Sequence, residues 1–118
     1  MTVTKAKLEL LTPYRSRIDA LDDKIVDLMV ERIEVIREVA ELKMKEGIPA
    51  ILEDRIREVV DRAGARAGTD EDMIREIYIM LVAVCCDLEE QIIDELPPLR
   101  EREGQFDDDE DDDEEDDE

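Results

Sequence analysis

The chain has 118 residues, enough for one domain with a modest core, and carries a formal net charge of -21 with no histidine. That balance argues against nucleic acid as a partner, since binding it requires a cationic surface that releases counterions, and an anionic membrane would repel the chain for the same reason. No apolar run is long enough to span a bilayer and the N-terminus lacks a signal-peptide core, so the expected location is cytoplasmic.

Thr12 and Pro13 predict a helix start, with Thr12 as N-cap and Pro13 in the first helical position. Apolar residues then recur at Ile18, Leu21, Ile25, Leu28, Val35 or Ile36, Val39 and Leu42, a helical period held to about Lys45. Gly47 and Pro49 punctuate the chain next. One helix of roughly 33 residues is expected, about 50 Å at 1.5 Å per residue. A second helix is predicted over about Glu53 to Ala67, stopped by Gly68, with Ile56, Val59, Val60, Ala63 and Ala67 apolar. Thr69 or Asp70 caps a third, which runs to about Leu96 with the stripe Ile77, Leu81, Val84, Leu88 and Ile92. Pro97 and Pro98 end it.

The fold class is therefore all-α: three helices, the first one long, in a domain covering 1–96. Residues 97–106 read as a linker. All twelve residues from Asp107 to Glu118 are acidic, a block that repels itself and is expected to be disordered. The tail holds twelve of the 37 acids, which leaves 25 acids against 16 bases in residues 1–106. Cys85 and Cys86 are adjacent and point in different directions on a helix, so they read as small buried hydrophobes rather than a disulfide. No spacing matches a zinc or iron site, and no metal or cofactor is expected.

A helix of about 50 Å is longer than a compact domain of this size is wide, given an expected radius of gyration near ~14 Å. Two shorter helices cannot cover its whole apolar stripe. A second copy can, so the pattern predicts an intertwined homodimer. A generic coiled-coil or bundle dimer without an active site satisfies the same pattern.

Three polar residues fall where the pattern wants apolar ones. Arg32 lies four after Leu28, Lys43 four after Val39, and Gln91 seven after Val84. Arg32 and Lys43 are three turns apart and share a face. Cations facing inward are costly unless something anionic meets them. Each has a plain explanation: an acid of another helix for Arg32, snorkelling for Lys43, a backbone cap for Gln91. Together they favour a shared polar site.

The series Arg15, Ile18-Asp19, Leu21-Asp22, Glu31-Arg32, Val39, Lys43, Pro49, Arg55 and Gln91 resembles the all-helical (AroQ) chorismate mutases over about residues 8–95. The segment R-x-x-I-D-x-L-D (Arg15 to Asp22), with Glu31-Arg32 and Lys43 spaced behind it, carries most of the specificity. The resemblance implies two equivalent sites per dimer that bind a small dicarboxylate. Arg32, Lys43, Arg55 and Gln91 would come from one subunit and Arg15 from the other. The implied reaction, chorismate to prephenate, is pericyclic and uses no nucleophile, metal or cofactor. It needs the substrate held in one conformation and preorganised donors for charge developing on the ether oxygen. Lys43 and Gln91 would donate there, Arg15 and Arg32 would hold carboxylate, and Arg55 would add positive charge. Arg suits carboxylate because its planar fork binds it bidentately.

The pattern breaks in two places. The family usually has an acid three before the helix-2 Arg and a Glu just after it, facing the substrate's C4 hydroxyl. Counted from Arg55 these positions hold Leu52 and Ile56. Counting from Arg57 restores Asp54 and Glu58 but needs two extra loop residues. The apolar phase of Val59, Val60, Ala63 and Ala67 favours Arg55. Without those acids, an isochorismate-pyruvate lyase making salicylate and pyruvate is the alternative. Asp87, one turn before Gln91, stands where mutases often have a small hydroxyl residue near a substrate carboxylate. Its charge there favours a third reading, a weakly active dicarboxylate-binding relative.

Overall fold

The computed structural model describes residues 2–95, and every element among them is helical. The linker 97–106, the acidic tail 107–118 and the predicted helix end at Leu96 lie outside the described residues. The chain divides into two compact units, Met1–Val35 and Ile36–Glu118.

The first unit opens with a short helix that periodicity does not predict, α1 (Lys5–Glu9), whose backbone N–H of Lys7 donates to Thr4 Oγ1 at 3.2 Å. The long helix follows as α2 (Thr12–Glu46). It starts one residue earlier than expected: the Arg15 N–H donates to the Leu11 carbonyl at 2.9 Å, so Thr12 is the first helical residue and not the N-cap. Pro13 is tolerated because the first four helical residues have no N–H partner in any case. Within this unit Ile18, Leu21, Ile25 and Leu28 are each more than half exposed.

The second unit contains the last turns of α2, then α3 (Glu53–Ala67), a 3-10 turn (Gly68–Asp70) and α4 (Glu71–Ile93). Gly47 ends α2 at φ 72°, and the Ile48 N–H folds back to the Lys43 carbonyl at 2.8 Å, the six-to-one bond of a Schellman turn. Gly68 ends α3 at φ 65°, as its position in the sequence predicts. Asp70 occupies the N-cap position of α4, but its side chain makes no capping bond.

α3 packs on α4. Gly64 is buried at their contact, where a Cβ would stand 2.6 Å from Arg75 Cγ, and Arg75 Nη1 donates to Asp61 Oδ1 at 2.5 Å beside it. Among the described residues the core of this unit is Ala40, Ala50, Val60, Val82 and Cys85, with one buried charged residue, Glu89. The inward face of α4 therefore runs Val82, Cys85, Glu89. Of the predicted stripe, Ile77 and Val84 are 47% and 66% exposed in the single chain. Residues 77–86 are apolar almost throughout, so the pattern cannot choose a face there.

Candidate active site

Lys43 sits in the last turn of α2, where its carbonyl already closes the Schellman turn. That turn sends the chain back toward the helix, and Lys43 Nζ donates to the Ala50 carbonyl at 2.9 Å. The same ammonium donates to Glu89 Oε1 of α4 at 2.7 Å. The side chains of this pair are 13% and 8% exposed. The inward cation thus meets its anion within the chain, which is the condition for burying either charge.

Sequence reasoning missed Glu89. The signal was available in hindsight from Val82 and Cys85, seven and four residues before it on one face, but the apolar run leaves several faces equally eligible.

Cys86 borders the pair. Burial pushes its thiol up from the ordinary value of 9.0, Glu89 adds to the rise, and Lys43 opposes it. Cys86 also lines a cavity of about 470 Å³, together with Ile51, Ile56, Val82, Asp87 and Glu90. The cavity wall is mostly aliphatic, with carboxylates on the α4 side. Both cysteines are free thiols; Cys85 is buried and Cys86 half-buried.

Asp87 and Gln91 join each other one turn apart: Gln91 Nε2 donates to Asp87 Oδ2 at 2.7 Å. That bond occupies one of the two amide N–H groups of Gln91. Lys43 finds its α4 partner in Glu89 rather than Gln91.

At the start of α3, Arg55 Nη1 donates to Glu58 Oε1 at 2.7 Å, and Arg57 pairs with Asp54. Both are exposed pairs one turn apart. Ile56, directly after Arg55, faces the cavity. Arg15 and Arg32 belong to the first unit, Arg15 exposed and Arg32 half-buried.

Among the described residues no group of three or more His, Cys, Asp or Glu could hold a metal ion. No helix among them is long and apolar enough to cross a membrane.

A buried lysine paired with a glutamate of α4, on helices of this order, agrees with the comparison to known families. The model of type II chorismate mutase matches residues 14–90. The chain belongs to the type II chorismate mutase family, a family of isomerases, as the Arg15-to-Asp22 segment and its spaced cations imply. The chorismate mutase of Methanocaldococcus jannaschii is 31% identical over 91 residues, covering 75% of this chain and 92% of that protein. The 4-amino-4-deoxychorismate mutase of Streptomyces venezuelae is 29% identical over 86 residues, 70% of this chain and 84% of its own length. The T-protein of Enterobacter agglomerans is 30% identical over 74 residues, 57% of this chain but 20% of that protein. No solved structure matches the chain.

Proposed function

We propose that the protein is a chorismate mutase that converts chorismate to prephenate by positioning and electrostatic stabilisation. The observation that carries this reading is the buried Lys43 ammonium, held within the segment that matches the family. One C–O bond breaks as one C–C bond forms, and no atom is gained or lost. The protein's work is to hold the enolpyruvyl arm over the ring and to meet charge on the ether oxygen. Lys43 donates to that oxygen, and Gln91 is the second candidate donor through its remaining amide N–H. Arg32 and Arg15 of a second copy hold the carboxylates, and Arg55 adds cationic charge.

The functional unit in this reading is a homodimer. It is supported by the exposed Ile18, Leu21, Ile25 and Leu28 in the first unit, which a second long helix would cover. Burying such residues contributes roughly 1.5–3 kcal/mol per side chain.

A second reading, lyase activity on isochorismate, draws on Leu52 and Ile56, which stand where acids for a C4 hydroxyl are expected, and of these Ile56 lies in the cavity wall. The relative from Streptomyces venezuelae adds a third substrate to try, its amino-substituted one. Purified protein offered chorismate, isochorismate and 4-amino-4-deoxychorismate separately decides. Prephenate from chorismate supports the mutase. Salicylate and pyruvate from isochorismate, with little prephenate, replaces it with the lyase. Turnover of the amino compound alone moves the substrate, not the reaction. Binding of a bicyclic transition-state analogue without turnover leaves a binding relative.

A further inference from the structure

The Lys43–Glu89 pair assigns a role to a residue that the family pattern did not supply. An ammonium has three N–H donors. In Lys43 one goes to Glu89 Oε1 at 2.7 Å and one to the Ala50 carbonyl at 2.9 Å. The two acceptors come from different parts of the fold, a side chain of α4 and the backbone of the loop after α2. Two fixed acceptors on a tetrahedral nitrogen set the direction of the third N–H. They also remove the rotamer freedom that a four-carbon stem otherwise retains. Glu89 Oε1 serves here as the acceptor of the Lys43 ammonium.

We propose that Glu89 is a positioning residue: with the Ala50 carbonyl it orients the Lys43 ammonium so that the third N–H meets the charge developing on the substrate's ether oxygen. This rests on the mutase reading. In it Glu89 acts through Lys43 and does not touch substrate. The rival role is a protonated Glu89 that donates to the ether oxygen itself.

The two roles differ in what an amide does. In Glu89→Gln the amide oxygen still accepts from Lys43, and the amide N–H donates at every pH. A positioning Glu89 therefore predicts that Glu89→Gln has a lower kcat than wild type, by about tenfold, at every pH. The ratio of the two kcat values should hold constant between about pH 5.5 and about pH 8.5. Other titratable groups around the pair, Cys85, Cys86 and Glu90 on α4, are common to both proteins. Glu89→Ala, which frees the ammonium, should lose about a hundredfold in kcat with KM changed less than about threefold.

The experiment is prephenate formation from chorismate by full-length wild type, Glu89→Gln and Glu89→Ala across that range, with circular dichroism to confirm folding. A constant ratio with a slower Glu89→Gln supports positioning. A ratio that shifts about tenfold toward wild type as pH falls, or a Glu89→Gln faster than wild type at neutral pH, overturns it in favour of direct donation. A Glu89→Ala as active as wild type overturns both roles. If Glu89→Ala does not fold, the Glu89→Gln ratio decides alone. No prephenate from wild type removes the mutase reading and this proposal with it; an active wild type with a pH-dependent ratio removes only the proposal.

Discussion

Lys43 on α2 and Glu89 on α4 are 46 residues apart in sequence and 2.7 Å apart in space, both nearly withdrawn from water. Two charges so placed depend on each other. Removing one leaves the other buried and uncompensated, at a cost of about 3–5 kcal/mol for a fully buried pair. Lys43→Met should therefore lower unfolding free energy by about 3 kcal/mol in a denaturant titration. The double variant Lys43→Met/Glu89→Leu should recover most of that loss. Additive losses in the double variant would mean that the pair is not coupled.

The contact of α3 with α4 makes a separate prediction about stability. A methyl group at Gly64 would press on Arg75 Cγ at 2.6 Å, Arg75 Cδ at 3.0 Å and Glu71 Cγ at 3.1 Å. Replacing glycine by alanine inside a helix gains up to about 1 kcal/mol, while overpacking costs about 1–3 kcal/mol. Gly64→Ala should be net destabilising by about 1 kcal/mol, visible as a Tm lower by several degrees. Adding Arg75→Ala should restore much of the loss, even though it sacrifices the Asp61 bond.

The ends of α2 and α3 were legible in the sequence for a backbone reason. Gly47 and Gly68 adopt positive φ, which glycine does without penalty, and both stop a helix where predicted. Lys43 was legible because a cation interrupts an otherwise regular stripe. Glu89 was not, because α4 is apolar on nearly all sides from Ile77 to Cys86 and the buried face shows only in three dimensions. α1 is too short for any periodicity to reveal it. The one-residue offset at Thr12 reflects the ambiguity of Thr-Pro, since proline fits any early helical position.

Cys86 reports on the site from inside its cavity. Its thiol is raised by burial and by Glu89, so less thiolate is present at a given pH than for a free cysteine. Alkylation should be slower than for an unfolded control at neutral pH, and its rate should still be climbing above pH 9.0, the ordinary thiol value. A bicyclic transition-state analogue should protect Cys86 if the cavity is the binding site. Fast modification that the analogue leaves unchanged would place binding elsewhere.

The proposed dimer is tested at Leu28, the most exposed of the four leucines and isoleucines on the α2 stripe of the first unit. Leu28→Glu would set two carboxylates against an apolar surface in the assembly. Sedimentation should show wild type at twice the chain mass and the variant shifted toward the monomer. Mutase activity should fall with it, because in the proposed dimer Arg15 would come from the second copy. A wild type that sediments as a monomer would rule out that arrangement.

The most direct test is kcat/KM for prephenate formation by wild type and Lys43→Ala, each checked for folding. Wild type should turn over chorismate and Lys43→Ala should lose at least about 10²–10³-fold, the scale set by removing one preorganised donor to a developing oxyanion. A folded Lys43→Ala with wild-type turnover would contradict the mutase reading, as would a wild type that makes no prephenate.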